Sequence, residues 1–307
     1  MVKLENIIFY ILLIQISIAT MQYFSKNVSD YFKIVEYSWQ GNTTITLGDS
    51  LIKSKIINGT FFRAANYGNT IAIIIVYFFS QILYGKFKYN KFKIVVLILG
   101  IITVLLTGIR TSAGSMVLGM FFVYFFKNKR KALMLLGIVI VLLFTYQQVL
   151  VGIGKLGLSQ GTIENPFSRL SAALVMFSGD INTIEETTIT RSLSIFPYAL
   201  QNPFFGIGQY YISGYTGIES ITDAFLLFHI AEIGIFGLLI LLIPHFKVLQ
   251  RIKKINKQGY YTVLSLFILL LVQTVTDAGL FSHYGMIFFF FLSALIYLKN
   301  TLIYEKK

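Results

Sequence analysis

Eight apolar runs punctuate the sequence, most of them of the roughly 17 to 25 residues that cross a bilayer and the others shorter. They lie at about 6–24, 66–84, 94–109, 112–126, 132–151, 224–243, 260–276 and 284–298. No soluble core of 307 residues needs so much apolar surface: 56% of the chain is hydrophobic, 13% is charged, and mean hydropathy is +0.73. The pattern predicts an all-α polytopic membrane protein with about eight transmembrane helices, one integral membrane domain over residues 1–307. Between the spans lie a first segment at 25–65 and a large loop at 152–222.

Charge supplies the expected orientation, because Lys and Arg gather in short cytoplasmic connections. With both termini inside, the inner segments hold Lys3, the cluster Lys86 to Lys93, Lys127 to Lys131, Lys247 to Lys257, and Lys299, Lys306 and Lys307. That is 17 of the 26 basic residues, against only Glu5 and Glu305 of the 13 acids. The net charge of +13 is thus a topology signal. Nucleic acid is not an expected partner, since the basic residues sit in short connections and form no clustered basic domain. The absence of cysteine excludes disulfides, Cys-zinc sites and thiol nucleophiles. The first run ends near Ser17–Ile18–Ala19, which resembles a cleavage site, but its 19-residue length favours a retained anchor.

Several polar residues stand where apolar runs begin. Arg63, Asn66 and Asn69 gather at the mouth of the second run, either as an interfacial cation with capping amides or as contacts to phosphate or sugar. The hairpin from Ile94 to Phe126 has 33 residues for two crossings, which at about 1.5 Å per residue leaves roughly 25 Å per leg. Its turn, Thr107 to Gly114, therefore places Arg110 at or just beneath the outer surface. A cation there needs an anionic partner in protein, substrate or lipid headgroup. Ser115 and Gly119 have the small-xxx-small spacing that lets another helix approach closely.

The 152–222 loop carries Arg169 and Arg191, then the Gly-rich block Asn202 to Gly208, NPFFGIG. A loop longer than about 15 residues is usually functional or disordered, and its aromatic content argues for order. It leads into an acid-bearing apolar segment, Asp223 to Ile243, and that sequence of elements suits the holding of a polar substrate at a bilayer surface. Asp223 stands at the mouth of this run, as an N-cap or as a base. His229 and Glu232 share one helix face. Glu232 lies near the middle of the apolar run, where a carboxylate must be paired, neutral or turned to a polar cavity. Asp277 and His283, in the last outer turn, read as turn residues.

Taken together, TGIRTS at Thr107 to Ser112, SRL at Ser168 to Leu170, TR at Thr190 to Arg191, NPFFGIG, TD at Thr222 to Asp223 and EIGIFG at Glu232 to Gly237 resemble the O-antigen polymerase and O-antigen ligase superfamily, the Wzy-type enzymes. RAANYGNTIA, from Arg63 to Ala72, is similar to the same family's polar helix start. The resemblance spans about residues 60–245 in order and expected topology.

The resemblance implies a glycosyltransferase-C-like membrane enzyme in the bacterial cytoplasmic membrane, working on its outer face with no metal and no cofactor. The donor it implies is an oligosaccharide on undecaprenyl diphosphate. Its partners would be the bilayer, a flippase and a chain-length regulator. Arg63, Arg110, Arg169 and Arg191, with Asn202, Gly206 and Gly208, would bind diphosphate and glycan, and Asp223 or Glu232 would act as base. Ligases of this family carry His where this chain has Asp223, which favours a polymerase. Relatives generally have more spans before the matched region.

A ligase-type transfer is one alternative. A transporter or flippase with Glu232 and His229 as a proton relay is another. Transporters usually show internal repeats and interrupted spans; no repeat is visible, and none of the four prolines, at 166, 197, 203 and 244, lies at the centre of a run.

Overall fold

The computed structural model describes residues 2–25, 27–29, 31, 57, 59–61, 64–84, 91–137, 196–208, 225–276 and 283–304. Among them every regular element is helical. The main helices are α1 (Val2–Phe24), α2 (Ala64–Leu83), α3 (Lys91–Leu106), α4 (Arg110–Lys127), α5 (Phe225–Ile255), α6 (Lys257–Thr276) and α7 (His283–Tyr304). Short helical segments also lie at 129–137 and 196–201. By length and composition, the stretches Leu4–Phe24, Ala65–Leu83 and Leu226–Ile255 can cross a membrane, and Thr111–Lys127 and Gly285–Leu298 are shorter apolar helices. The fifth expected run, 132–151, is described only to residue 137. The chain divides into two compact units, Met1–Thr183 and Ile184–Lys307.

In the first unit α2 is the axis. Its Ile73–Ile74–Ile75–Val76 run is β-branched and a weak helix former in water, but in lipid a single segment satisfies its main chain only as a helix. Residues 67–78 are buried throughout, the pattern of a helix surrounded by others. α3 and α4 form the short hairpin the sequence predicts, at about 24 and 27 Å from their 16 and 18 residues. The turn is tighter than the eight residues expected. It is 107–109, with Gly108 at φ 64 and the Thr107 hydroxyl donating to the Val104 carbonyl at 2.6 Å.

α4 runs parallel to α2, and the two touch at both ends. Near the start, Ser112 donates to Asn69 Oδ1 at 2.6 Å, and a Cβ on Gly68 would lie 2.7 Å from Ser112 Oγ. Near the finish, Lys127 Nζ donates to the Leu83 carbonyl at 2.5 Å, a cation on the negative end of α2. The close approach of α4 to α2 is made by Gly68 against Ser112. Asn69, expected either as a capping amide or as a contact to phosphate or sugar, ties α2 to α4. α1 joins through the Tyr77 hydroxyl, which donates to buried Glu5 at 2.9 Å, and through Phe9 edge-on to Phe78 at 5.7 Å. The side-chain amide of Gln22 pairs with the main chain of Gly59, accepting from its N–H at 2.9 Å and donating to its carbonyl at 2.8 Å.

In the second unit α5, α6 and α7 pack together, and His245 of α5 sits among Phe267, Phe289 and Phe290 with ring centroids 6.1, 4.9 and 5.0 Å away. The sequence reading ended the sixth run at Ile243 and placed a basic loop after it. The helix instead continues through Pro244 to Ile255, and the loop shrinks to Asn256. Asn256 Oδ1 accepts from the Gln258 and Gly259 N–H groups at 2.8 and 3.1 Å, capping α6. The basic stretch 127–131 behaves likewise: Asn128 is the sole joint, and its Oδ1 accepts from Lys131 N–H at 3.2 Å. The intervening Lys, Arg, Gln, Leu and Ile are adequate helix formers, so only the two asparagines break the run.

Candidate functional site

Residue 234 is where α5 ceases to be one helix. Gly234 has φ 71 and ψ 175, torsions that a side chain strongly disfavours. It lies eight residues beyond Leu226, where the apolar stretch begins. That is about 12 Å along the axis, well within a hydrocarbon layer about 30 Å thick. An interruption there exposes main-chain groups that lipid cannot satisfy.

The Gly-rich block satisfies them. Ile207 and Gly208 N–H donate to the carbonyls of Ala231 and Glu232 at 2.7 and 3.0 Å, while Ile235 and Phe236 N–H donate to the carbonyls of Pro203 and Phe204 at 2.8 and 3.1 Å. In a continuous helix those four groups would have bonded one another. Residues 202–208 thus form a strap with a two-bond clamp on either side of Gly234. Its own turn is closed by Gly206 N–H donating to the Asn202 carbonyl at 2.8 Å, and Phe205 N–H donates to Asn202 Oδ1 at 3.4 Å.

Glycine is required on both sides of the contact. Gly206 has φ 75, and a Cβ there would run into the Glu232 carbonyl; a Cβ on Gly234 would run into the carbonyl of Phe204. Gly208, at φ 87, has open space around it and needs only its torsion. Aromatic rings cover the junction, Phe204 and Phe205 lying 5.7 and 5.4 Å from Phe236. The helical turn 196–201 seats Ala199 against Ala231, flanked by Tyr198, Ile207 and Phe228.

One turn before the break, His229 Nδ1 lies 3.0 Å from Glu232 Oε2, with the two side chains 15% and 16% exposed. The shared helix face expected from the sequence is therefore a direct contact. The carboxylate is paired within its own helix, and the same residue's main-chain carbonyl is held by the strap.

The other expected site residues fall differently. Asn202, Gly206 and Gly208 come together with Glu232, through their backbone. Arg110 opens α4 in the first unit. Arg63, Arg169, Arg191 and Asp223 lie outside the described residues, as does Asp277; His283 begins α7. Among the described residues no group of three or more His, Cys, Asp or Glu is arranged to hold a metal ion.

The break itself was missed in the sequence. Its signal was present: two glycines spaced two apart in NPFFGIG, and an isolated Gly two residues after a carboxylate inside an apolar run.

Apolar helices of crossing length, one of them interrupted within its apolar stretch and strapped by a preceding loop, mark a helical membrane protein. No protein-family model matches the chain, and no curated protein or solved structure matches it either.

Proposed function

We propose that the chain is a membrane-embedded glycosyltransferase that polymerises oligosaccharide units carried on a polyprenyl diphosphate. The single observation that carries the reading is the junction just described. NPFFGIG and EIGIFG, two blocks of the resemblance separated by 23 residues, meet at one point, with the His229–Glu232 pair beside it. In this reading both termini are cytoplasmic and the junction opens toward the outer face of a bacterial cytoplasmic membrane.

The chemistry follows from these residue types. An acceptor hydroxyl oxygen attacks the anomeric carbon of the donor, the bond from that carbon to the diphosphate oxygen breaks, and the diphosphate leaves with the electron pair. Arg191, in the same unit as the junction, holds the departing charge, a planar guanidinium being suited to bidentate phosphate binding. Glu232 or Asp223 takes the acceptor's proton. Asn202, Gly206 and Gly208 serve the glycan through the strap.

A transporter is the second reading, and the interruption of α5 favours it, since interrupted spans often coordinate substrates or ions with their half-helix ends. Here the four freed main-chain groups are already taken by the strap, which favours the enzyme.

The test is the size distribution of lipid-linked and surface glycans in the native host with and without the gene. Accumulation of a single lipid-linked unit with long chains lost identifies a polymerase; long lipid-linked chains that never reach their acceptor identify a ligase. An unchanged profile refutes both. In the same assay Arg191→Ala abolishes polymer and Arg191→Lys retains little. Loss on Glu232→Gln with Asp223→Asn unaffected assigns the base to Glu232, and the reverse assigns it to Asp223.

A further inference from the structure

Four main-chain groups of α5 have two complete sets of partners available. In a continuous helix Ile235 N–H would donate to Ala231 and Phe236 N–H to Glu232; in the structure all four groups bond the strap instead. The torsional difference between the arrangements is concentrated at Gly234, a residue that visits either region readily. Both arrangements satisfy α5, so the helix crosses between them without stranding its own polar groups in lipid. The strap, by contrast, must exchange α5 for water or another partner on leaving.

The two arrangements place the pair differently. Closing the helix at Gly234 turns residues 225–233 relative to 235–255 and carries His229 and Glu232 with them. The strap's grip on the Glu232 carbonyl, through Gly208 N–H at 3.0 Å, is released in the same step.

We propose that α5 is a two-state element, in which the docked strap breaks the helix and aims the His229–Glu232 pair, and the released strap lets the helix close and turns that pair away. Gly206, Gly208 and Gly234 are then positioning residues. The link between aim and turnover rests on the glycosyl-transfer reading; the two states do not.

The first test is residue-resolved hydrogen exchange on the full chain in lipid nanodiscs. Ile207 and Gly208 amides are expected to exchange through an opening in which Ile235 and Phe236 stay at least ~10-fold better protected, because the closed helix shelters them. All four exchanging at one rate would mean that strap and helix unfold together, and the two-state element would be wrong. Gly234→Ala should speed exchange at Ile207 and Gly208 at least ~10-fold while sparing Ile235 and Phe236. Should that variant not fold, Ile207→Pro, which deletes a strap donor and leaves the α5 sequence unchanged, carries the same expectation at the Gly208 amide.

The second test uses the absence of cysteine in the chain. Phe204→Cys with Phe236→Cys joins strap to helix where the rings are 5.7 Å apart. Oxidation holds the strap docked and the pair aimed, so polymer formation should persist when oxidised, whereas Gly234→Ala, which favours release, should lower it. A locked protein that no longer polymerises, or a Gly234→Ala protein that polymerises at the wild-type rate, would sever the link to turnover. If deletion of the gene leaves the glycans unchanged, the enzyme reading fails, and the exchange data still decide the two states.

Discussion

Replacing Gly68 with alanine tests which of two opposed effects governs the α2–α4 contact. Alanine favours helix over glycine by about 1 kcal/mol, so at an open position the change stabilises. At Gly68 the new Cβ meets Ser112 Oγ at 2.7 Å, Ser112 Cβ at 2.9 Å and Thr107 Oγ1 at 3.2 Å. Ser112 cannot swing aside cheaply, because its hydroxyl is held by Asn69 at 2.6 Å in a fully buried setting. Losing that bond costs about 1 kcal/mol, and overpacking with shifted helices typically costs about 1–3 kcal/mol. Against the propensity gain, Gly68→Ala should destabilise the first unit by about 1–3 kcal/mol. Gly114→Ala, on α4 with nothing within 4 Å of its Cβ, should stabilise by up to about 1 kcal/mol. Reversible unfolding in bicelles measures both, and Gly68→Ala combined with Ser112→Gly should recover part of the loss. A neutral or stabilising Gly68→Ala would refute the contact as the tight point of the unit.

Three further outcomes follow from the same geometry. Gly206→Ala meets both an unfavourable torsion and the Glu232 carbonyl, whereas Gly208→Ala meets only the torsion, at about 1–2 kcal/mol; limited proteolysis of the strap in nanodiscs should rank Gly206→Ala as the more exposed, and equal rates would contradict the close approach. Tyr77→Phe removes the hydroxyl that buried Glu5 accepts and should lower stability by about 1–3 kcal/mol in the bicelle assay; no change would mean that the bond contributes nothing. Asn256→Ala removes the α6 cap, an expected loss of about 0.5–2 kcal/mol concentrated in faster amide exchange at Gln258 and Gly259; unchanged exchange there would count against the cap.

The helices were largely legible because side-chain hydrophobicity and spacing encode them. The α3–α4 hairpin was readable from its length and from Thr107–Gly108, and the shared face of His229 and Glu232 from their three-residue spacing. The strap was not, because main chain bonding to main chain leaves no mark on side chains except the glycines that permit it, and Gly206 and Gly234 lie 28 positions apart. The single-residue joints at Asn128 and Asn256 were hidden by their neighbours: clustered Lys and Arg read as a solvated loop, although the same residues form helix readily. Asn202 and Gly206, expected as substrate contacts, also have structural parts that their side-chain chemistry does not disclose: the first closes the strap's turn and the second permits its approach to α5.

The Asn69–Ser112 bond spans 43 residues of sequence, and the ribosome delivers α2 before α4. At about 5–20 residues per second, α2 waits roughly 2–9 s in the membrane before its partner exists. During that interval the side chain of Asn69, buried in the finished protein, has no α4 to cover it. Substitutions that slow the emergence of α4 lengthen the exposure, and surveillance proteases of the membrane then have longer to remove a chain whose finished form would have been sound.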